Sequence, residues 1–299
     1  MNELWGIDLG GTKIEGVVLR SKDDVDPIAR FRIPTEAHKG YEHIIEQVAS
    51  LIGKLSETSG SQPSKIGIGT PGAIDNHTGK IKNSNSTVLN GRPFKIDLEN
   101  ILGLEISMAN DANCFALAET LMGAVKEYGP VNTVFGVIMG TGVGGGIVVD
   151  GKVISGLHGI GGEWGHNFLD EEGGNCYCGR SGCVETLISG PALERYYQKK
   201  CGTIKSLKEI NNTITSDPVA KKTLNHLHHL FGKAIAVIIN ILDPDVIVLG
   251  GGVGNIDTLY TIGKQEAEKY VFNTGMKTKF IKPKLGDSAG VFGAALLTI

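Results

Sequence analysis

The sequence predicts an α/β protein of two domains built on one plan used twice, and three observations carry that reading. A short apolar strand, Leu4-Trp5-Gly6-Ile7-Asp8, enters the glycine turn Leu9-Gly10-Gly11-Thr12-Lys13 and continues as a second apolar run, Ile14 to Leu19. The same order returns at Thr133 to Met139, then Gly140-Thr141-Gly142-Val143-Gly144-Gly145-Gly146, then Ile147-Val148-Val149. Around these two hairpins, strand-like and helix-like runs alternate, as they do in α/β folds. A repeated strand–turn–strand unit is a stronger signal than either turn alone. An ordinary hairpin would not need the five glycines found among residues 140–146.

Taken in order, the first turn can cradle phosphate through its backbone N–H groups. It is neither the G-x-x-x-x-G-K-[ST] loop nor a dinucleotide fingerprint, whose third glycine is missing, and a plain hairpin turn remains the alternative. Tyr41, Ile44, Ile45, Val48, Leu51, Ile52 and Leu55 recur at helical spacing and mark a packing helix. Ile66-Gly67-Ile68 reads as a strand running into Gly69-Thr70-Pro71-Gly72, where Gly69 and Gly72 leave room beside the chain for a ligand. Asn83-Ser84-Asn85-Ser86-Thr87 is a cluster of neutral polar side chains that by composition alone suits a solvated loop. Leu104 to Met108 is a strand, and Ala109-Asn110-Asp111-Ala112-Asn113 opens an apolar helix, Cys114 to Gly123. Asn and Asp are both preferred helix caps. An Asp at a strand end also faces the mouth of a parallel sheet, where open α/β folds bind ligands.

Farther along, Ser189-Gly190-Pro191 starts a helix, whereas residues 199–217 are polar, weakly periodic and carry no assignment. Leu224, Leu227, Phe231, Ala234, Ile235, Ile238 and Ile241 mark one long core helix, with His226, His228 and His229 read as part of its polar face rather than as metal ligands. Asp245 to Leu249 is a buried strand ending in Gly250-Gly251-Gly252, a setting that suits close approach of a flat ring. Ala289 to Leu297 is a last helix, expected to pack back on the first domain. The expected domains are 1–118 and 119–299.

A chain of 299 residues is long enough for two such domains. Hydrophobic content of 41% and mean hydropathy near zero fit an ordinary soluble core. No apolar run approaches a membrane span, and Met1-Asn2-Glu3-Leu4-Trp5 lacks the pattern of a secretory leader. A net charge of −3 without a basic stripe argues against a nucleic-acid partner. Five cysteines, three of them clustered, fit a reducing, cytoplasmic setting with a metal site rather than a disulfide framework. Cys114 and Cys201 read as ordinary thiols.

The cluster itself is Gly161-Gly162-Glu163-Trp164-Gly165-His166, then Cys176-Tyr177-Cys178, then Cys183-Val184-Glu185. His166, Cys176, Cys178 and Cys183 make the Cys₃His donor set that a structural Zn²⁺ prefers. Glycines 173, 174, 179 and 182 let the chain fold back so that the four can converge. A metal there would also hold Glu163 and Glu185, which suggests a small-molecule site braced by zinc.

The run E-W-G-H followed by C-x-C-G-x-x-G-C-x-E-T-x-x-S-G resembles the ROK family of bacterial sugar kinases, and the resemblance extends through the whole chain. It implies the two-domain, actin-like, hexokinase-type ATPase fold, with ATP between the halves. Asp111, in Asn110-Asp111-Ala112-Asn113, matches the family's general base. Asp8 matches the aspartate near Mg²⁺, and Gly10, Gly11, Thr12, Lys13, Gly140, Thr141 and Gly142 match its phosphate loops. Gly250, Gly251 and Gly252 match the stretch beside adenosine. Asn83 and Asn85 fall in a match to the sugar-contacting segment N-x-N-S-T-x-L-N-G, ending at Gly91. Gly72, Asn110, Glu163, His166 and Glu185 complete the implied sugar site, His166 using one ring nitrogen for zinc and the other for the sugar. The implied reaction is phosphorylation of a hexose hydroxyl, the 6-hydroxyl first. The Asn83–Gly91 segment favours fructose, with glucose, mannose, N-acetylglucosamine and N-acetylmannosamine as alternatives. Family members are commonly dimers or tetramers.

Two readings of other classes compete. A sugar-responsive repressor of the same family would place a helix-turn-helix before the first phosphate loop, and Asp8 leaves no room for one. A non-catalytic, zinc-braced interaction module would account for the metal cluster and leave both glycine turns unexplained.

Overall fold

The computed structural model describes residues 3–299; Met1 and Asn2, the start of the run read for a leader, lie outside the described residues. The elements in order are β1 (Leu4–Leu9), β2 (Lys13–Leu19), β3 (Ala29–Pro34), α1 (Tyr41–Ser59), β4 (Lys65–Thr70), β5 (Ala73–Ile74), β6 (Ile81–Lys82), α2 (Phe94–Leu102), β7 (Glu105–Asn110) and α3 (Asp111–Leu121). They continue with β8 (Thr133–Met139), β9 (Val143–Val149), β10 (Lys152–Val153), α4 (Val184–Ile188), α5 (Gly190–Cys201), α6 (Leu207–Asn212) and α7 (Pro218–Leu242). The last are β11 (Val246–Gly250), α8 (Gly251–Gly254), α9 (Ile262–Glu268), β12 (Lys279–Ile281) and α10 (Ala289–Leu296).

The large sheets run in the orders β3-β2-β1-β4-β7 and β10-β9-β8-β11-β12, so one topological plan occurs twice. In each, the strand before the glycine turn is central and its far-side neighbours are parallel: β1, β4 and β7 in one, β8, β11 and β12 in the other. The chain divides into two compact units, Met1–Pro130 with Gly146–Gly161 and Lys284–Ile299, and Val131–Gly145 with Gly162–Pro283. The expected boundary after residue 118 is corrected by this division. A cut there would fall inside α3, whose backbone hydrogen bonds run on to Met122, and the chain also returns to the first unit at Gly146–Gly161.

In the first unit the apolar stripe of α1 is buried with Phe94, Leu98 and the sheet residues Ile7, Ile14, Ile66 and Ile68. Gly60, at φ 71°, caps α1 in a conformation that favours glycine. Successive strand residues face opposite sides of the sheet, and the paired residues Gly6 and Val17 are offset by one from Ile7 and Gly16. A Cβ on Gly16 would press on Leu51 and Leu55 of α1, and one on Gly6 would strike the backbone of Val291 and Ala295. Glycine in β1 and β4 therefore lets the backbone of α10 lie directly on the strands. The small residues of α10 do the same against α3, where a Cβ on Gly293 would overlap the carbonyl group of Cys114.

The second unit is built around α7. Asp217 caps it through Val219 and Ala220, at 2.8 and 3.1 Å, and Pro218 occupies its first turn. Gly232 allows α7 to cross α9 closely, since a Cβ there would meet Glu266 and Ala267. The three histidines of α7 are explained by packing. His226 stacks on Tyr196 at 4.0 Å between centroids, and His228 meets the hydroxyl of Thr258 at 2.7 Å. His229 lies 3.6 Å from Glu266. No helix among the described residues is long and apolar enough to cross a membrane.

Candidate active site and metal centre

Parallel pairing brings the carboxyl ends of β1, β4 and β7 to one edge of the first sheet. Asp8 pairs with Gly69, and Thr70 pairs with Asn110. Asn110 is the N-cap of α3, its Oδ1 accepting the N–H of Asn113 at 2.7 Å. That leaves Asp111, the first helical residue, at the mouth of the sheet, with its side chain open to solvent. Although water reaches it, the protein packed around its carboxyl group disfavours the charge and raises its pKa. The N–H of Ala112, 2.8 Å from Oδ1, pulls the other way. Asp8 is half-buried, and its pKa is pushed up to about 6, first by burial and then by the charges of Asp111 and Glu15. Lys13 and Arg32 oppose that rise.

The first glycine turn closes with Gly10 N–H donating to the carbonyl of Lys13 at 2.9 Å. Thr35 holds it from the side: its hydroxyl donates to the Gly10 carbonyl at 2.7 Å, and its N–H donates to the Thr12 carbonyl at 3.0 Å. Gly11, Thr12 and Lys13 are exposed. The segment Asn83–Gly91 lies close by, the Oγ of Ser86 being 3.5 Å from where a Cβ on Gly11 would stand. Asn90 shapes this segment, accepting the N–H of Ser84 and donating to its carbonyl, both at 2.9 Å. Asn83, at φ 56°, turns through a left-handed conformation that Asn tolerates, and the side chains of Asn83 and Asn85 are exposed. The expectation that Gly69 and Gly72 open space for a ligand is corrected. At Gly72 that space is filled by the backbone of Lys82 and Ser84, and at Gly69 by Cys114 and Asp8. Gly72 therefore lets the polar segment pack close.

In the second unit, the E-W-G-H run docks the Cys/His hairpin. Trp164 is buried, donates Nε1–H to the Gly144 carbonyl at 3.0 Å, and meets Phe135 edge-on at 5.9 Å. Gly165 fits against the carbonyl group of Val143, which a Cβ would overlap. Glycines 174, 179 and 182 have φ of 63°, 87° and 74°, and the hairpin closes through Cys176 N–H to the Arg180 carbonyl at 2.7 Å. The donor atoms of His166, Cys176, Cys178 and Cys183 then lie within 4.8 Å of one another. Cys176 Sγ is 3.6 Å from His166 Nδ1, and Cys178 Sγ is 3.7 Å from Cys183 Sγ. Zn–S bonds of about 2.3 Å in a tetrahedron require S···S edges of roughly 3.8 Å, so the donor set fits zinc in identity and spacing. The expected second role of His166 meets a competitor: its Nε2 lies 3.0 Å from the hydroxyl of Tyr177. When Nδ1 is the ligand, Nε2 carries the proton and donates to that hydroxyl, a contact that fixes the ring.

Glu185 sits in the first turn of α4, two residues after Cys183, and its Oε2 accepts the N–H of Val143 at 2.9 Å. Glu163 stands at the N-terminal boundary of the short helical turn Trp164–His166. The second glycine turn, Gly140-Thr141-Gly142, borders a cavity of about 880 Å³ whose wall includes Pro191, Glu194, Leu207, Asn211, Gly252 and Asn255. Of the triple glycine, Gly252 is the open member; Gly250 ends a buried strand, and Gly251, at φ 79°, packs on the backbone of Met139.

Much of this wall comes from residues 199–217, which carried no assignment. They contain α6, started by a capping box in which Ser206 and Glu209 bond each other's backbone N–H. Glu194 adds a bond from the Leu207 N–H at 2.8 Å. The S-x-x-E spacing was the available signal for that helix. Nothing local pointed to Glu194, Asn211 or Asn255 as cavity residues, nor to Thr35 as a support, because their contacts lie elsewhere along the chain; Asn90 falls inside the N-x-N-S-T-x-L-N-G match, where its bonds to Ser84 give it a shaping role.

Residues 4–299 match the ROK family. The chain is 35% identical over 306 residues to the N-acetyl-D-glucosamine kinase of Aliivibrio fischeri, covering 99% of each chain. Among solved structures, it resembles the ROK hexokinase of Thermus thermophilus with a TM-score of 0.87 and 31% identity, over 99% of this chain and 97% of that one. It also resembles a ROK family glucokinase of Streptomyces griseus, solved with glucose and AMPPNP, with a TM-score of 0.76 and 27% identity over 98% of both chains. These likenesses run the length of the chain, carry the two-domain, actin-like ATPase fold with them, and include the region of the Cys/His hairpin; the chain belongs to the ROK family.

Proposed function

We propose that this ATP-dependent sugar kinase transfers the γ-phosphate of ATP to the 6-hydroxyl of a hexose, with Asp111 as general base. The observation that carries the reading is the placing of Asp111, an accessible carboxylate of raised basicity at the mouth of a parallel sheet, in a chain similar throughout its length to sugar kinases. A base of that kind accepts the hydroxyl proton as the oxygen attacks phosphorus. Asn83, Asn85, Asn110, Glu163 and Glu185 supply donors and acceptors for sugar hydroxyls, and His166 does so where a sugar hydroxyl displaces that of Tyr177 from its Nε2. The two glycine turns supply backbone N–H groups for phosphate oxygens. The cavity beside Gly140, Thr141 and Gly252, about 880 Å³, is within the range of small-molecule sites and is roomy enough for the nucleoside of ATP. Asp8 offers the hard carboxylate oxygen that Mg²⁺ prefers, and that ion would neutralise phosphate charge. Zinc held by His166, Cys176, Cys178 and Cys183 would brace the hairpin that presents Glu163 and Glu185. Its thiolate ligands suit a reducing cytoplasm.

Two acceptors have specific support. The amides and hydroxyls of Asn83–Gly91 can pair with an unmodified hexose, fructose first. The whole-chain likeness to the Aliivibrio fischeri kinase supports N-acetyl-D-glucosamine. Comparison of kcat/KM for fructose, glucose, mannose, N-acetylglucosamine and N-acetylmannosamine at saturating MgATP separates them. A tenfold lead, worth about 1.4 kcal/mol in the transition state, assigns the acceptor class. ADP release that no hexose stimulates would refute the reaction itself.

A further inference from the structure

We propose that Glu185 is a positioning residue for nucleotide binding: its carboxylate fixes the second glycine turn to the Cys/His hairpin. This rests on the reading that the turn at Gly140–Gly142 receives the phosphates of ATP.

Three contacts from the hairpin and the helices after it converge on that turn. Oε2 of Glu185 accepts the Val143 N–H at 2.9 Å. The Gly190 N–H, at the start of α5, donates to the Gly140 carbonyl at 2.8 Å. Gly165, next to His166, lies flat against the Val143 carbonyl group. Gly142 is small for the same reason: a Cβ there would stand 2.7 Å from Oε2 of Glu185. Gly140 is different, since a Cβ on it would meet nothing within 4 Å. The glycine at 142 thus answers to the Glu185 carboxylate as well as to any phosphate. Cys183 is the N-cap of α4 and Glu185 lies in its first turn, so the link from metal ligand to phosphate turn is two residues long. An N–H bonded to a carboxylate is stronger than a neutral pair, and its loss frees the turn to adopt other conformations that phosphate binding must then select against.

The test is equilibrium binding of a non-hydrolysable MgATP analogue, without sugar, to wild type, Glu185→Ala, Glu185→Gln and Gly142→Ala. Each protein is checked for zinc content, and amide exchange is measured at Val143. Glu185→Ala is expected to weaken the analogue at least about fivefold and to accelerate exchange at Val143. Glu185→Gln keeps an acceptor oxygen and is expected to bind within about twofold of wild type while its sugar KM changes. Gly142→Ala forces the carboxylate away and is expected to weaken binding in the wild-type background but to cost little more in Glu185→Ala. Wild-type affinity in a folded Glu185→Ala protein would overturn the proposal. So would a Gly142→Ala cost undiminished in the Glu185→Ala background, and that comparison is made in Glu185→Ser, whose side chain is too short to reach Val143, should the alanine variant not fold. Failure of the wild type to bind the analogue would instead refute the nucleotide reading of the turn.

Discussion

The turn at Gly10–Lys13 and the turn at Gly140–Val143 each join the central strand of a sheet to its neighbour, and each closes with one backbone hydrogen bond of 2.9 Å. Their anchors differ. Thr35, just past β3 of the same sheet, holds the first turn through a hydroxyl and an N–H. The second is held by a carboxylate and two glycines, all in or just after a hairpin shaped for a metal. The first turn is anchored within its own sheet, whereas the second is anchored by a hairpin on which four metal-type ligands converge. The units differ in chemistry in the same way. The first carries a carboxylate at strand ends, and the second the Cys/His hairpin and the cavity beside its glycine turn.

The largest expected effect breaks the first unit's chemistry alone. Asp111→Asn keeps the shape and removes the base, so kcat should fall at least about 10²-fold. Sugar binding and zinc content should stay near wild type, as steady-state kinetics and metal analysis will show. In the second unit, Cys178→Ala should lose the metal and most of the activity, because Glu163 and Glu185 lose their support. Full activity in zinc-free protein would show that the hairpin orders itself.

Thr35→Val sharpens the contrast between anchors. It removes the bond to the Gly10 carbonyl at a site only 1% exposed, and the expected cost is about 1–2 kcal/mol of stability. The KM for ATP should rise only a few fold, with zinc content unchanged.

The smallest effect is a pH dependence confined to the first unit. The Asp8 pKa is pushed up to about 6 in the folded protein against 3.8 for the free group, so the folded state binds that proton more tightly. Its contribution to stability is full below about pH 4 and is lost as pH rises through about 6. Asp8→Asn, which never ionises, should therefore melt a few degrees above wild type at pH 7 and above in metal-free protein. The gap should close below about pH 4. A gap that widened on acidification would reverse the assigned sign.

The ease of reading each region from sequence follows its physics. The four zinc-type ligands lie within one stretch of chain, and donor identity with spacing announces them. The strands and helices carrying Asp8, Asp111 and the two turns show clear periodicity. The anchors were hidden because Thr35 and Glu194 are ordinary polar residues until the fold brings a backbone group to them. Glu185 was legible as a carboxylate near the metal ligands, but its bond to Val143, forty-two residues away, was not. Glycines proved ambiguous for the same reason. Gly140 and Gly252 leave open space, whereas Gly72, Gly142 and Gly251 are small because other protein atoms occupy the place of a side chain.

Phosphoryl transfer that depends on Asp111 is read out by ³¹P NMR of MgATP incubated with each candidate hexose. Wild type should accumulate ADP and a hexose 6-phosphate in equal amounts, and Asp111→Asn almost none. Phosphate released to water without a sugar ester, or a sugar ester formed equally well by Asp111→Asn, would contradict it.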